Sequence, residues 1–302
     1  MSVSRRRFIA ISAVFTALSS MPGAAAPARH WTGQALGARA SILIDHPQAE
    51  AITKTCLAEI DRLENILSLY RSDSAISRLN RDAILEAPPF ELLDCLAIAG
   101  AVHRATGGLF DPTVQPLWAL WAEASAANRQ PQSHEIALAL RQVGWDGVAL
   151  KPDRITLRPG MALTLNGIGQ GYVADRIAAL LEAEGLEDIL IDTGEIRAMG
   201  GQPDGTPWPV GLSSGGSISL RSRALATSAP LGTTLDAEGR VGHILDPRSG
   251  RPAGSIWREI SVSAPRAALA DALSTAACLA QDREAIDAMI AEFAGVRIEA
   301  AI

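Results

Sequence analysis

The sequence predicts an α+β fold, because stretches with strand character and stretches with helix character are segregated along the chain rather than strictly alternating. The 302 residues contain 48% hydrophobic and 20% charged side chains, a balance typical of a globular protein with a substantial core. No Pro/Ser-rich linker interrupts residues 30–302, so we expect this range to form one domain.

The first half of the domain combines one hairpin with several helices. Residues 32–45 predict a strand hairpin punctuated by glycines. A helix follows, because apolar side chains recur every three or four residues at Ile52, Cys56, Ile60, Leu63 and Leu67. Residues 70–80 predict a polar loop with a short helical turn, and residues 92–106 a helix ended by Gly107 and Gly108. The two prolines of residues 109–121 predict a packed irregular segment, after which a short helix runs to about Val143.

The second half is richer in strands. Residues 146–166 predict two strands with turns at Pro152-Asp153 and Pro159-Gly160. The helix after this segment carries apolar residues from Val173 onward and ends at Gly185. Further strands and turns run from residue 188 to about residue 262, and two alanine-rich helices begin near Ala267 and Arg283.

The net charge of −6 limits the classes of partner. Non-specific nucleic-acid binding requires a basic surface, and so does adhesion to anionic membranes. We therefore expect neither nucleic-acid binding nor stable membrane insertion.

Residues 1–26 have the features of an export signal. Arg5, Arg6 and Arg7 precede the apolar run 8–18, which is about half the roughly 20 residues needed to span a bilayer. Small residues around Ala26 suit cleavage by a signal peptidase. The order Ser-Arg-Arg-x-Phe is typical of twin-arginine signals, and an ordinary Sec signal with a basic start is the alternative. Either route places the mature protein in the periplasm.

The sequence has three cysteines, Cys56, Cys95 and Cys278, and no CxxC pair. Each lies on the apolar side of a predicted helix, which indicates buried, unreactive thiols. One disulfide with a remaining thiol is the alternative in an oxidising compartment.

The stretch LNGIGQGYVAD (165–175) places Gly167, Gly169 and Gly171 at alternate positions before a helix. A Rossmann fingerprint has G-x-G-x-x-G spacing after the first strand, so this stretch does not match it. Glycines before a helix N-terminus still let backbone N–H groups approach an anion. A plain glycine-rich turn is the alternative.

Other stretches mix small and polar residues in the same way. They contain Asp111 in TGGLFDPTVQPLW, Thr227 and Ser228 in ALATSAP, His243 and Asp246 in HILDPRSGRP, and Asp271 and Thr275 in ADALSTA. Asp271 and Thr275 are four residues apart and so share a helix face, where their oxygens suit a hard cation such as Mg²⁺. Taken singly, Asp271 could be a helix-start acid and His243 a structural histidine.

Together these stretches resemble the ApbE family, the FAD:protein FMN transferases. The resemblance covers nearly all of residues 30–302 and depends on six motifs in a fixed order: LYRSDSAISRLN, TGGLFDPTVQPLW, LNGIGQGYVAD, IDTGEIRAMG, HILDPRSGRP and ADALSTA. It implies a two-lobed single domain with mixed or antiparallel sheets and a flavin cleft between the lobes.

The resemblance also implies roles for individual residues. Asp271 and Thr275 correspond to side-chain metal ligands, and Gly169 to a backbone-carbonyl ligand, for Mg²⁺. Tyr70 corresponds to an aromatic residue stacked on FAD. The other positions expected to bind FAD are Leu36, Asp111, Gly167, Gln170, Gly171, Gly194, Glu195, Thr227 and Ser228. His243 matches a histidine near the reacting phosphate.

The implied reaction is transfer of FMN from FAD to a Thr or Ser hydroxyl of another protein, with release of AMP. We expect His243 to accept the hydroxyl proton, with Asp246 as the alternative base. Two other functions remain open, a metal-dependent FAD pyrophosphatase and a non-catalytic flavin-binding maturation protein.

The sequence departs from the family pattern at four positions. Leu36 and Ala38 replace Met and Thr, Ala229 replaces Gly, and Gln170 replaces a Lys, which removes a positive charge near the diphosphate. The twin-arginine signal and the IDTGEIRAMG motif resemble a NosX-like branch linked to nitrous-oxide respiration. The implied acceptor is a membrane flavoprotein with a periplasmic FMN-binding domain of the NosR, NqrC or RnfG kind.

We predict that the double variant Arg5→Lys/Arg6→Lys leaves the precursor in the cytoplasm, because the twin-arginine route recognises the arginine pair. Fractionation and immunoblotting of cells expressing the two forms would measure the exported share. Equal export of the variant and the parent would instead indicate the Sec route.

Overall fold

The computed structural model describes residues 29–44 and 46–302. The predicted signal at 1–26 lies outside the described residues, so its route and cleavage site remain predictions. None of the helices in the described ranges has the length and hydropathy needed to cross a membrane.

Helices and antiparallel strands make up the described chain. The helices are α1 (Ala49–Leu67), α2 (Ala75–Asp82), α3 (Phe90–Ala105), α4 (Gln115–Ala126), α5 (Ser133–Leu140), α6 (Gly169–Ala183), α7 (Ala267–Ala277) and α8 (Arg283–Ala291). The strands are β1 (Arg29–Ala35), β2 (Ala38–Ile44), β3 (Ile84–Glu86), β4 (Val148–Lys151), β5 (Arg154–Leu157), β6 (Leu190–Asp192), β7 (Ile196–Ala198), β8 (Trp208–Gly211), β9 (Ser217–Leu220), β10 (Ala224–Ser228), β11 (Ile260–Ala264) and β12 (Arg297–Ala301). The α+β prediction is confirmed.

The main sheet has seven strands in the order β1-β2-β6-β7-β10-β11-β12. Every neighbouring pair in it is antiparallel. Two small antiparallel sheets, β3-β5-β4 and β8-β9, complete the architecture. Since β11 is buried along its whole length, this part of the sheet is covered on both faces.

The segment 109–121 was wrongly predicted to be irregular. It forms a 3₁₀ turn over Pro112–Val114 that leads directly into α4. Both prolines occupy the first positions of these helical elements, where a backbone N–H has no intrahelical partner and proline is tolerated. Asp111 caps the turn, because its side chain accepts a hydrogen bond from the Thr113 amide.

Residues 70–80 also contain more helix than predicted. The chain forms the eight-residue helix α2, which starts beyond Ser74. The Ser74 hydroxyl caps it by accepting a hydrogen bond from the Ser77 amide at 3.1 Å. The loop before this helix, residues 70–74, keeps Tyr70 at the surface.

The three cysteines are free and buried, as the first of the two sequence interpretations predicted. Burial raises the pKa of the Cys56 thiol to about 11 and that of Cys278 to about 12, and it also raises the pKa of Cys95. Thiols with raised pKa values are poor nucleophiles at neutral pH. They therefore serve as core packing.

Helices α6 and α7 approach each other closely on the main sheet, and a glycine allows it. A Cβ atom on Gly171 of α6 would lie 2.3 Å from the carbonyl oxygen and 2.5 Å from the carbonyl carbon of Ala267 at the start of α7. These neighbours are backbone atoms that cannot rotate away. Gly171 therefore sets the separation of the two helices.

Gly171→Ala is expected to lower the free energy of unfolding by about 1–3 kcal/mol, the usual cost of overpacking. The sign is diagnostic, because alanine in a helix without this contact would stabilise by about 1 kcal/mol. Urea denaturation would measure the change. Gly254→Ala is the control, since its Cβ would meet nothing within 4 Å and its φ is not left-handed. An increase in stability for Gly171→Ala would contradict the close packing.

Candidate active site

A cleft lies between the start of α4, the glycine loop, the segment 243–247 and the second half of α7. Its lining residues are Leu109, Phe110, Asp111, Pro112, Val114, Trp118, Thr164, Asn166, Gly167, His243, Ile244, Leu245, Pro247, Thr275 and Leu279. Four residues predicted from sequence, Asp111, Gly167, His243 and Thr275, therefore share one cavity. They come from four distant parts of the chain, and the fold brings them together.

The glycine loop lies against the second half of α7. A Cβ on Gly167 would be 3.0 Å from the Thr275 hydroxyl oxygen and 3.3 Å from the Phe110 ring, so the missing side chain keeps this part of the cleft open. Thr275 also lies 3.3 Å from the hydroxyl of Ser228, which in turn shares a hydrogen bond of 2.8 Å with Ser274. Hydroxyl oxygens from β10 and α7 thus meet beside the loop.

Asp271 lies one helical turn before Thr275 and is buried, with only 3% of its surface exposed. Its Oδ2 accepts a hydrogen bond of 3.2 Å from the Gly171 amide. Burial raises the pKa of this carboxyl to about 7, and the Gly171 hydrogen bond only partly opposes that effect. In the described residues no lysine, arginine or histidine forms an ion pair with Asp271.

Glu195 belongs to the same group of acids. Burial raises its pKa well above the ordinary value, and the negative charges of Asp271 and Asp192 raise it further. The Thr227 amide donates a hydrogen bond to it. Ionising either of the two buried carboxyls, Asp271 or Glu195, makes ionisation of the other less favourable, and among the described residues neither forms an ion pair with a cationic side chain.

Gln170 and Gly194 meet beside these acids. A Cβ on Gly194, whose φ is +99°, would lie 2.9 Å from the Gln170 side-chain amide, so a larger residue would collide with it. Gln170 is buried, and its backbone carbonyl accepts a hydrogen bond of 2.9 Å from the Thr193 hydroxyl. The Gln170 side chain is therefore packed against the turn after β6.

His243 faces the cleft with one ring nitrogen committed elsewhere. Its Nδ1 lies 2.9 Å from the Thr233 carbonyl oxygen, which can only accept, so Nδ1 carries the proton and donates. Burial lowers the pKa of His243, although the Thr233 hydrogen bond acts in the opposite direction. The ring is therefore neutral at pH 7, and the lone pair is on Nε2.

Asp246, the alternative base, is engaged in a turn and does not line the cleft. Its carboxylate accepts three hydrogen bonds from Arg248, one from the backbone amide and two from the guanidinium, at 2.8–3.0 Å. Burial would raise its pKa, but the Arg248 interactions hold the pKa below its ordinary value. A carboxylate so well satisfied is a weak base, so the geometry favours His243.

Leu36 lies against the glycine loop, and Tyr70 lies against the turn between β1 and β2 that carries Leu36. The Leu36 side chain would be 3.0 Å from a Cβ on Gly169, and the Tyr70 ring 3.2 Å from one on Gly37. Tyr70 is 61% exposed, which is unusual for an aromatic residue and leaves its ring accessible. Neither residue lines the cleft around His243, although Leu36 contacts the glycine loop that lines it.

Asp111 and Thr227 have structural partners of their own. Asp111 Oδ1 accepts hydrogen bonds from the Thr113 amide at 2.8 Å and the Thr113 hydroxyl at 2.6 Å. Thr227 shares a hydrogen bond of 2.8 Å with the Ser261 hydroxyl. Asp111 nevertheless lines the cleft, whereas Thr227 does not line it and instead donates a backbone hydrogen bond to Glu195.

Sequence reasoning did not single out the apolar wall of the cleft or Asn166. Phe110, Trp118 and Leu279 form part of this wall, and Asn166 lies at its polar end. Asn166 belongs to the quoted glycine stretch, so its position was available as a signal. The wall residues resemble ordinary core side chains in sequence, and only the fold reveals that they face an open space.

The donor set fits a hard cation. Asp271 supplies a buried carboxylate without a cationic partner, and Thr275 supplies a hydroxyl on the same helix face. Mg²⁺ typically takes one or two protein carboxylates and completes its shell with waters and substrate phosphates. The described residues contain no cluster of three or more His, Cys, Asp or Glu side chains arranged as a metal site.

Comparison with known proteins identifies the fold and the family. A crystal structure of the flavinyl transferase ApbE from Pseudomonas stutzeri in its apo form has a TM-score of 0.79, 25% identity, and coverage of 91% of this chain and 94% of that chain. The ApbE protein from Thermotoga maritima has a TM-score of 0.80 and 26% identity, with coverage of 90% and 94%. These matches confirm a single domain of helices and antiparallel sheets.

The family model of the ApbE family matches residues 36–298. The FAD:protein FMN transferase of Vibrio cholerae is 29% identical over 266 residues, which cover 82% of this chain and 79% of that protein. The chain therefore belongs to the ApbE family.

We expect the substitution Asp271→Asn to change the free energy of unfolding of the metal-free protein more favourably at pH 8 than at pH 5. When the pKa of an acid is higher in the folded protein than its unfolded value of about 4, the protein loses stability as the pH rises from the unfolded pKa towards the folded pKa. That folded value is about 7 here, and asparagine has no charge to bury. Urea unfolding in EDTA at the two pH values would measure the difference.

Asp246→Asn is the matched control with the opposite sign. Its folded pKa is lowered, so the ionised carboxylate contributes stability above its unfolded pKa, and this is lost as pH falls. The asparagine variant should therefore be more destabilised at pH 8 than at pH 3. A pH-independent effect of Asp271→Asn would mean that Asp271 is ordinarily ionised in the folded protein.

Proposed function

We propose that this protein is an FAD:protein FMN transferase that depends on Mg²⁺. In the proposed reaction, a Thr or Ser hydroxyl oxygen of an acceptor protein attacks the FMN-side phosphorus of FAD. A new P–O bond joins FMN to the acceptor, the diphosphate P–O bond breaks, and AMP leaves. FAD is thus the donor substrate. Membership of the ApbE family and its similarity to proteins named FAD:protein FMN transferase support this reaction.

The observation that carries the proposal is the placement of His243, Gly167 and Thr275 around one cleft. Phosphoryl transfer requires a base for the nucleophile, donors for the diphosphate and charge neutralisation on the bridging oxygens. His243, Gly167 and Thr275 line the cleft, and Asp271 lies one helical turn before Thr275 on α7. The start of α6 also directs its positive helix end towards the loop.

The metal site would be formed by Asp271, Thr275 and the Gly169 carbonyl. Mg²⁺ bound there supplies neutralisation of the diphosphate charge as AMP departs. Asp271 would then be ionised, since a bound cation favours the charged form of a carboxyl whose pKa burial had raised to about 7. The Gly171 amide keeps the carboxylate oriented through its bond to Oδ2.

His243 would accept the proton of the attacking hydroxyl. The hydrogen bond from Nδ1 to Thr233 fixes the tautomer with a free lone pair on Nε2. Burial keeps the ring neutral at pH 7, so the base is ready without a prior deprotonation.

The accessible ring of Tyr70 suits stacking against the flavin, with Leu36 packed on the loop beside it. A flavin held on an exposed ring remains reachable by a second protein, as transfer to a protein acceptor requires. We further propose a periplasmic acceptor flavoprotein carrying an FMN-binding domain. The basis for that proposal is the signal-like residues 1–26 alone.

Asp271→Ala is expected to slow FMN transfer by about 10²–10⁴-fold, because the anionic metal ligand is lost. His243→Gln is expected to slow it by a similar factor of about 10²–10⁴, since the general base is lost. The test incubates the enzyme with FAD, Mg²⁺ and an isolated FMN-binding domain. Mass spectrometry quantifies the flavinylated acceptor, while chromatography quantifies AMP and free FMN.

Asp246→Asn is the control, because its carboxyl belongs to the same segment as His243 but lies outside the cleft lining. It should transfer at close to the parent rate. Release of FMN and AMP by the parent, with no adduct on any acceptor domain, would contradict the transferase and support the FAD pyrophosphatase. Wild-type rates in Asp271→Ala that remain sensitive to EDTA would place the metal elsewhere.

Tyr70→Ala is expected to shorten FAD residence by roughly 5- to 150-fold, because stacking on an aromatic ring contributes about 1–3 kcal/mol. Stopped-flow flavin fluorescence would measure dissociation. Tyr70→Phe should retain the residence time, and Phe90→Ala should not change it, since Phe90 is equally exposed on α3. Unchanged dissociation from Tyr70→Ala would exclude stacking at this position.

A further inference from the structure

Helices α6 and α7 satisfy each other's unpaired backbone donors. The first amides of any helix have no partner within it, and a side chain at the N-cap usually provides one. The N-cap residue of α7 is Arg266, which makes no side-chain cap bond and has no acceptor to offer. The first turn of α7 must therefore find its acceptor on another element.

Asp175 of α6 is that acceptor. Its Oδ1 accepts from the Ala267 amide at 2.8 Å and its Oδ2 from the Ala268 amide at 3.0 Å. The side chain is only 11% exposed, and both oxygens are used on the same helix end. The negative charge also lies at the positive end of the α7 dipole.

The return contact runs from α7 to α6. The Gly171 amide belongs to the first turn of α6 and donates to Asp271, which lies four residues beyond Ala267. Within one turn, α6 thus provides α7 with a hydrogen-bond acceptor, the Asp175 carboxylate, and with a hydrogen-bond donor, the Gly171 amide. The two pairs fix both the separation and the axial position of the helices, since each pair alone would allow rotation about itself.

We infer that Asp175 is a positioning residue, which holds α7 in register with the glycine loop so that Asp271 and Thr275 face Gly167 and Gly169. It reaches no cleft atom itself and acts through the first turn of α7. This inference deepens the proposed function, because the ligand set it aligns is the proposed metal site. The alignment itself can be measured without metal or FAD.

Two arginines support Asp175 without replacing it. Arg197 and Arg266 approach its carboxylate at 3.6 and 3.8 Å, distances longer than a good hydrogen bond. Arg266 also approaches Asp94 at 3.8 Å, and Asp94 accepts a hydrogen bond of 3.0 Å from the Tyr172 hydroxyl. Asp94 therefore belongs to the same charge network but makes no bond to the α7 backbone, which makes it the matched control.

The first experiment follows amide hydrogen exchange by NMR in the metal-free protein. Asp175→Asn keeps the shape but leaves one oxygen acceptor in place of two. We expect exchange at Gly171 and Ala268 to accelerate by about tenfold or more relative to amides of α8, as expected for a helix end that has lost its cap. Asp94→Asn should leave the exchange at both amides within about twofold of the parent.

The second experiment separates positioning from stability. Mg²⁺ affinity in the presence of FAD is measured by titration calorimetry for the parent, Asp175→Asn and Asp94→Asn. We expect Asp175→Asn to weaken Mg²⁺ binding by about tenfold or more, with Asp94→Asn nearly unchanged even where both variants lose similar thermal stability. Asp175→Glu should not restore the affinity, because the longer side chain cannot bind both amides at the same helix separation.

Unchanged exchange at Gly171 in Asp175→Asn would overturn the inference, and so would equal effects of the Asp175 and Asp94 variants on exchange. A parent protein that shows the exchange pattern but binds no Mg²⁺ and transfers no FMN would overturn the proposed function instead. The two failures are therefore distinguishable.

Discussion

The contact between the first turns of α6 and α7 is the constraint on which the site depends. Gly171 permits the approach because any Cβ would collide with the Ala267 backbone. At that separation the Gly171 amide reaches Asp271, and Asp175 reaches the start of α7. The glycine loop leads into one helix and Asp271 with Thr275 lies on the other, so the site is defined only while this contact is kept.

The same contact explains how a buried, unpaired carboxyl is tolerated. Burying a charge without a partner costs several kcal/mol, and the usual outcome is a shift in pKa and neutralisation. Asp271 follows this rule with a pKa raised to about 7, and Glu195 beside it shifts in the same direction. The fold therefore holds Asp271 and Glu195 in a buried arrangement whose ionisation is unfavourable, and a cation bound there would lower that cost.

Much of the fold was predictable because the hydrophobic patterns are regular. The stripe of α1, the hairpin of β1 and β2, and the glycine end of α6 follow from local sequence. The segment 109–121 was not predicted, because prolines were taken as breakers although they occupy helix starts. Local pattern is a sound guide only when the position of proline within the helix is known.

The candidate site was predictable to a smaller extent. The resemblance assigned Asp111, Gly167, His243 and Thr275, and the structure places these four around one cleft. Spacing alone could not separate His243 from Asp246, because both lie in one short motif. Their hydrogen bonds distinguish them as candidate bases, because His243 bonds to the Thr233 carbonyl and Asp246 accepts from Arg248. The role of Asp175 was equally hidden, since its partners are 92 and 93 residues away in sequence.

Crystallography with a metal that scatters anomalously would show whether Asp271 and Thr275 bind the ion. Crystals of the protein grown with FAD and Mn²⁺ as a Mg²⁺ substitute would be measured at the manganese absorption edge. We expect a single strong anomalous peak about 2.0–2.3 Å from an Asp271 oxygen and the Thr275 hydroxyl, with diphosphate oxygens completing the shell. A peak elsewhere, with FAD bound but Asp271 still hydrogen-bonded and free of metal, would contradict it.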